Sequence, residues 1–138
     1  MKRLTVGLVC LLSVAVAAQS ALKKEFQALQ GTWMLVSAGG DEVPAGLAGL
    51  AFSGEKYEGL TEDKITERGT VRLDPSTKPM AIDLVILQGD DAGKVQLGLV
   101  EVSGDKMTLF LANPGDPKRP SPSDKDAKLI LKRLKQMR

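Results

Sequence analysis

The sequence predicts an all-β domain: an antiparallel, up-and-down barrel of eight strands preceded by one short helix. After Gly31 the chain is a succession of short apolar or alternating segments, separated by clusters of Gly, Asp, Pro and Ser. Alternation with a period of two is typical of strands with one buried face, and the clusters supply the backbone angles that tight reversals need. Brief connections favour neighbouring antiparallel strands, and closure of the sheet removes its free edges. A two-layer sandwich is the competing architecture.

The start of the chain predicts an export signal. A positively charged beginning and an apolar segment over 4–15 are followed by small residues, which suits cleavage after Ala18 or, alternatively, after Ser20. The apolar segment is too short to span a bilayer comfortably. We therefore expect a signal peptide over 1–18 and a single exported domain over 19–138, periplasmic or extracellular, with no stable membrane anchor after cleavage.

Composition restricts the chemistry of the mature chain. The only cysteine, Cys10, leaves with the signal, and the chain has no histidine. Their absence excludes His-assisted and cysteine nucleophiles and the usual zinc, copper and haem ligand sets. The 19 basic residues include two in the signal, so the mature chain balances 17 basic against 17 acidic residues. A neutral chain with few aromatic residues is not typical of nucleic-acid binding. We expect no enzyme, no cofactor, no metal and no nucleic-acid partner.

The elements follow from local patterns. Apolar residues recur at Leu22, Phe26 and Leu29, which is the spacing of one helical face. This predicts a helix over 20–30, ended by Gly31. The predicted strands then run approximately over 32–38, 48–53, 55–60, 65–73, 80–87, 94–102, 106–112 and 127–134.

Two places interrupt this regular pattern. In the sixth strand the apolar residues change face, which predicts a bulge near Gly98 or Leu99. The segment 113–126, which we name the proline loop, contains four prolines, and prolines deny hydrogen bonds to a ladder. Lys118 and Arg119 lie between two of these prolines, as a basic tip for an anionic partner or as ordinary solvated loop residues.

The opening phrase Leu29-Gln30-Gly31-Thr32-Trp33 resembles the Gly-x-Trp start of lipocalin-type barrels. Over the whole mature length the chain is similar to a small, uncharacterised secreted domain family abundant in planctomycete bacteria. The further motifs that carry this resemblance are Asp74-Pro75-Ser76, Ala81-Ile82-Asp83-Leu84, Gly104-Asp105, Pro117-Lys118-Arg119-Pro120 and Leu131-Lys132-Arg133. The resemblance implies a lipocalin-like barrel and brings no established activity with it.

Trp33 is the sole tryptophan, and it is expected to anchor one end of the barrel; a ligand-stacking ring is the alternative. In lipocalin-like proteins a basic residue of the last strand covers this ring. The resemblance therefore implies that Arg133, or else its neighbour Lys132, lies over Trp33. Gly31 and Trp33 with Arg133 form the expected structural motif.

Acidic residues are expected to be structural or solvated. Asp83 lies within an apolar strand, either outward in solvent or paired with Arg68 or Arg72. The remaining clusters supply too few oxygens for calcium and are expected to be turn charges: Glu62, Asp63 and Glu67, and Asp90 with Asp91.

The first functional hypothesis is an exported, non-enzymatic binding module that holds a small apolar or amphipathic molecule inside the barrel. The expected ligand wall is Leu35, Ile82, Leu84, Ile86, Leu97, Leu99, Leu109 and Leu111. The alternative is a cell-envelope interaction domain for a protein or a polysaccharide, with a filled core and its working surface at Lys118 and Arg119.

Overall fold

The computed structural model describes residues 22–135; the predicted signal peptide lies outside the described residues. Helix α1 spans the described residues 22–29 and is followed by strands. The strands are β1 (Gly31–Ala38), β2 (Asp41–Glu42), β3 (Ala48–Ser53), β4 (Lys56–Thr61), β5 (Lys64–Asp74), β6 (Met80–Gln88), β7 (Val95–Ser103), β8 (Lys106–Leu111) and β9 (Lys128–Arg133), and a 3-10 turn (Lys125–Ala127) precedes β9. Each of the eight predicted strands is present, with bounds that differ by no more than one residue.

The sheet is closed and antiparallel. From β3 to β9 each strand pairs with the next, and β1 pairs with both β3 and β9. Eight strands therefore form the wall, and the two-residue β2 only extends the end of β1, where Ser37 pairs with Glu42. The predicted up-and-down barrel with a short N-terminal helix is confirmed, and its fold is lipocalin-like.

The barrel has two different ends. We call the end that carries α1 and the β3–β4, β5–β6 and β7–β8 connections the helix end, and the opposite one the loop end. Inward side chains meet in one cluster in which Trp33 and Met107 are fully buried. The cluster consists of Leu29, Trp33, Phe52, Tyr57, Val71, Ile82, Leu84, Val100, Met107, Leu109 and Leu131.

The predicted bulge in β7 is wrong. β7 pairs with β6 and with β8 in continuous register, so its side chains alternate regularly. Directly opposed residues share a face of the sheet. Leu97 lies opposite Asp83 and Leu99 lies opposite Phe110, so both leucines face outwards. The change of apolar face reflects burial on both sides of the wall: Leu99 and Phe110 are only 7% and 5% exposed on the outer face.

The proline loop lies against this part of the outer wall. It leaves the barrel after β8 at the loop end and folds back along the outer wall, where Pro120 is buried. Arg119 Nη1 donates hydrogen bonds to the carbonyl oxygens of Ile82, at 3.2 Å, and Gly98, at 2.9 Å. The loop is therefore a covering layer over β6 and β7.

Candidate functional site

Trp33 closes the helix end of the barrel. Its Nε1 donates to the carbonyl oxygen of Leu29 at 2.7 Å, which ties the ring to the end of α1. Arg133 Cζ lies 4.2 Å from the centroid of the Trp33 ring, and the two residues are direct partners across β1 and β9. The pairing expected from the sequence is therefore present, whereas Lys132 is exposed opposite Met34 on the outer face. A ring that is fully buried in this way anchors the fold and offers no free face to a ligand.

Arg133 connects three elements at this end. Its guanidinium donates to the carbonyl oxygens of Gln30 and Ala28, and its Nε lies 3.2 Å from Asp105 Oδ1. Gly31 has a φ of 113°, and a Cβ there would lie 3.3 Å from Arg133 Nη1. Glycine at position 31 thus gives the chain its turn from helix to strand and gives the guanidinium its space.

The predicted ligand wall is not a single surface. Four of its members are buried inside the barrel, and two are partly buried against the core. Leu97 and Leu99 lie on the outer wall, which corrects their predicted inward position. The buried members are Ile82, Leu84, Ile86 and Leu109, and the partly buried members are Leu35 and Leu111.

One polar pair lies inside the barrel. Tyr57, only 1% exposed, donates its hydroxyl hydrogen to Glu67 Oε2 at 2.7 Å. Burial, the hydrogen bond and the charge of Glu67 all raise the pKa of Tyr57 far above its ordinary value. Sequence reasoning had placed Glu67 in a solvated turn cluster and had passed over Tyr57. Glu67 reaches the inner face because it pairs with Gly59 in the β4–β5 hairpin. The register of that hairpin is the signal that could have indicated the contact between Tyr57 and Glu67.

Asp83 joins the barrel wall to the proline loop. It faces outwards, opposite Arg72, whose Nε lies 3.6 Å from Asp83 Oδ2. Arg119 Nη2 lies closer, at 2.8 Å from Asp83 Oδ1, as an ion pair that is not aligned as a hydrogen bond. Of the two predicted partners, Arg72 is thus present, whereas Arg68 pairs with Glu58.

The two residues of the expected basic tip, Lys118 and Arg119, lie in different environments. The side chain of Arg119 is 34% exposed and is held against the wall, so it is not a free cation, which corrects that part of the prediction. Lys118 is exposed. Sequence reasoning missed this because nothing local in the loop indicates that a strand carboxylate lies beneath it.

Two clefts outside the barrel are relevant to binding. The helix-end groove, between α1, the β5–β6 connection and β7, has a volume of about 580 Å³. Its floor is apolar, and its rim carries charged side chains. The floor includes Leu29, Met80, Val100 and Val102, and the rim includes Lys24, Glu25, Lys78 and Glu101. The outer-wall cleft is smaller, about 280 Å³, and its polar lining is Arg72, Asp74, Thr77, Asp83 and Arg119.

Glu25 gives the helix-end groove a distinct chemical feature. Its Oε2 is buried and has no hydrogen-bond partner among the residues that the structure describes. A buried acceptor without a donor costs free energy, so a ligand with a hydroxyl or amine group would relieve it once the Glu25 side chain turns towards the groove. The groove can therefore hold an apolar chain and orient it by one polar contact.

Neither the scan against protein-family models nor the search of curated proteins found a match. Within residues 22–135 no helix is both long enough and apolar enough to cross a membrane. In the same part of the chain no group of three or more acidic residues is arranged to hold a metal ion.

Proposed function

We propose that this protein is an exported, non-enzymatic binding module that holds a small amphipathic molecule in the helix-end groove. One observation supports this proposal above the others: the interior of the barrel is packed with side chains, while the groove beside it has an apolar floor and a volume of about 580 Å³. Small-molecule sites are commonly concave, mostly apolar and about 300–1,000 Å³ in volume. The ligand is of the class that the sequence suggested, a small apolar or amphipathic molecule. The proposed binding site is the helix-end groove instead of the barrel interior.

The energetics are those of a modest binder. A short alkyl chain that buries about 200 Å² of apolar surface gains about 5 kcal/mol, before the costs of association are subtracted. A gain of about 5 kcal/mol corresponds to a Kd of about 0.2 mM before those costs, so a short chain binds in the millimolar range and a longer chain, which buries more apolar surface, binds more tightly. The non-enzymatic assignment is supported by the sequence, because the domain has neither histidine nor cysteine.

Glu25 is the proposed selector of the polar end of the ligand. Once the Glu25 side chain turns into the groove, an alcohol can donate a hydrogen bond to Oε2, whereas a carboxylate ion has no donor and adds a like charge. The proposal therefore favours 1-decanol over decanoate. In Glu25→Gln the amide can donate to a carboxylate, so the difference between the two probes should become smaller or reverse.

Trp33 provides a direct readout, because its Nε1 is bonded to the carbonyl oxygen of Leu29, and Leu29 lines the groove. Titration with 1-decanol should change Trp33 emission in a saturable way. Ala28 is exposed and lines the groove, so Ala28→Phe should fill it and weaken binding at least tenfold. The matched control is Ala92→Phe, which adds the same ring to an exposed turn at the loop end. Equal affinity in Ala28→Phe and the wild type would refute the proposed place of binding.

Export is part of the proposal and has its own test. Mass spectrometry of the protein recovered outside the cytoplasm should find an N-terminus at Gln19 or at Ala21, the two products of the predicted cleavage sites. Recovery of the intact chain in the cytoplasm alone would contradict it.

A further inference from the structure

We propose that the outer-wall cleft is a second binding site, which accepts a neutral polyhydroxylated ligand of the size of one sugar ring. The cleft lies on the barrel wall where β5 ends and β6 begins, and Arg119 of the proline loop lines one side of it. Its volume of about 280 Å³ suits a small ligand or one unit of a longer chain. It shares Thr77 with the helix-end groove but none of the charged residues of that groove, so its proposed ligand does not depend on the function proposed above.

The charges of the cleft are balanced and alternate along its wall. Arg72 and Arg119 both contact Asp83, and Arg119 also lies near enough to Asp74 to help lower the pKa of that carboxyl group, after the larger effect of its hydrogen bonds with Ser76. Two guanidinium groups thus face two carboxylates. Because each charge already has an opposite charge beside it, a charged ligand gains little from binding here.

Hydrogen-bonding capacity nevertheless remains free. The 3.6 Å between Arg72 Nε and Asp83 Oδ2 is too long for a direct hydrogen bond, and Asp83 Oδ2 accepts none from the residues that the structure describes. The side chain of Arg72 is 63% exposed, so its remaining donors can reach a ligand. Asp74 Oδ1 accepts from the Ser76 backbone N–H, and Asp74 is exposed, so the lone pairs that do not bond to Ser76 can reach a ligand.

A hydroxyl group fits this arrangement because it donates and accepts at once. It can donate to a carboxylate oxygen and accept from the neighbouring guanidinium, and hydrogen bonds to charged groups are stronger than those between neutral groups. Adjacent hydroxyls on one ring repeat this pattern along the wall. A sulfate-like anion has no donor for the carboxylates, and a zwitterionic amino acid carries its donors and acceptors on separate full charges, whereas the charges of the cleft are already paired.

The test follows the Nε–Hε group of Arg72 by NMR in the full-length domain. The probes are glucose and maltohexaose, with glycine and inorganic phosphate as charged probes. We expect a saturable shift with at least one of the sugars, with a Kd of about 1–10 mM, and none with glycine or phosphate. Tighter binding of maltohexaose than of glucose would assign the site to glycan chains, and equal binding would assign it to free sugars.

Variants distinguish the cleft from general surface effects. Arg72→Gln and Asp74→Asn alter exposed side chains, so both variants should fold. Each should weaken sugar binding at least tenfold, measured by the chemical shifts of the backbone amides of the proline loop. The matched control is Arg68→Gln, which alters another outer-wall arginine with a carboxylate partner, Glu58, outside the cleft. The proposal is overturned if neither sugar gives a saturable shift, if glycine or phosphate binds better, or if Arg72→Gln binds like the wild type.

Discussion

Arg133 and Trp33 show how one residue pair can close a barrel. The indole fills the helix end, and the guanidinium covers it while bonding to the backbone that leads from α1 into β1. Cation–π contacts contribute about 0.5–2 kcal/mol, and hydrogen bonds to charged groups about 1.5–3 kcal/mol. The pair therefore couples the helix to the last strand.

Arg133→Ala should lower the free energy of unfolding by about 2–4 kcal/mol, because the cation–π contact and the bonds to the helix end are lost together. Trp33 emission should shift to longer wavelength as water reaches the ring. Urea unfolding and fluorescence spectra measure both effects. In the control Arg68→Ala, which removes an exposed ion pair, stability should change by no more than about 1 kcal/mol. Unchanged stability and emission in Arg133→Ala would contradict this role.

Tyr57 makes stability depend on alkaline pH. Its pKa is raised in the folded protein, so the folded state holds the phenolic proton more tightly than the unfolded chain does. Its contribution is complete below the ordinary tyrosine pKa of about 10 and is lost as pH rises above it, by at most about 1.4 kcal/mol per pH unit.

Tyr57→Phe should therefore remove part of the loss of stability between about pH 10 and pH 12. At neutral pH the variant should be less stable by about 1–2 kcal/mol, because Glu67 loses its donor. Urea unfolding at several pH values measures both effects, and every other titratable group is common to both proteins. An identical alkaline slope in the two proteins would disprove the role of this hydroxyl.

At the scale of elements, the proline loop behaves as a layer of the fold. Arg119 holds it to two strand carbonyls and to Asp83, and Pro120, the next residue of the loop, is buried. A loop with these contacts should resist local opening, because opening leaves buried polar groups without partners.

Arg119→Gln should release the proline loop and lower the free energy of unfolding by about 1–3 kcal/mol. Amide hydrogen exchange over 113–126 should become faster, while exchange in β3 and β4 stays slow. Lys118→Gln is the matched control, since it changes the adjacent, exposed cation in the same loop. Equal exchange rates in the two variants would mean that Arg119 does not hold the loop.

The strands could be predicted closely because their limits are local. Turn clusters such as Gly104-Asp105 specify reversals by themselves, and they precede strands whose bounds were found within one residue. The face of β7 could not be predicted, because the cover over Leu99 comes from a distant loop. Gly98 was also a misleading sign of a bulge, because the ladder around it is regular. Glycine is required there because a Cβ would lie 2.4 Å from the Phe110 carbonyl oxygen.

The same distinction applies to the candidate sites. Arg133 over Trp33 was foreseen, because a motif at each end of the chain pointed to it. The helix-end groove was not foreseen, because it is made by α1, the β5–β6 connection and β7 together, and no pattern within one segment indicates their proximity. Arg119 beside Asp83 was missed for the same physical reason.

At the scale of the whole molecule, we propose that the barrel is a filled support whose binding surfaces lie on its outside. Its inward side chains pack around Trp33, and the described clefts lie at the helix end and along the outer wall. A filled barrel should keep its interior contacts when a ligand binds, because close-packed interiors have no room for further atoms.

Methyl NMR during titration with 1-decanol tests this claim most directly. The account predicts saturable shifts at methyl groups that line the helix-end groove, Leu29, Met80 and Val102, with those of Leu35 and Leu111 unchanged. Saturable shifts at Leu35 and Leu111, with the groove methyls unchanged, would place the ligand inside the barrel and contradict the account.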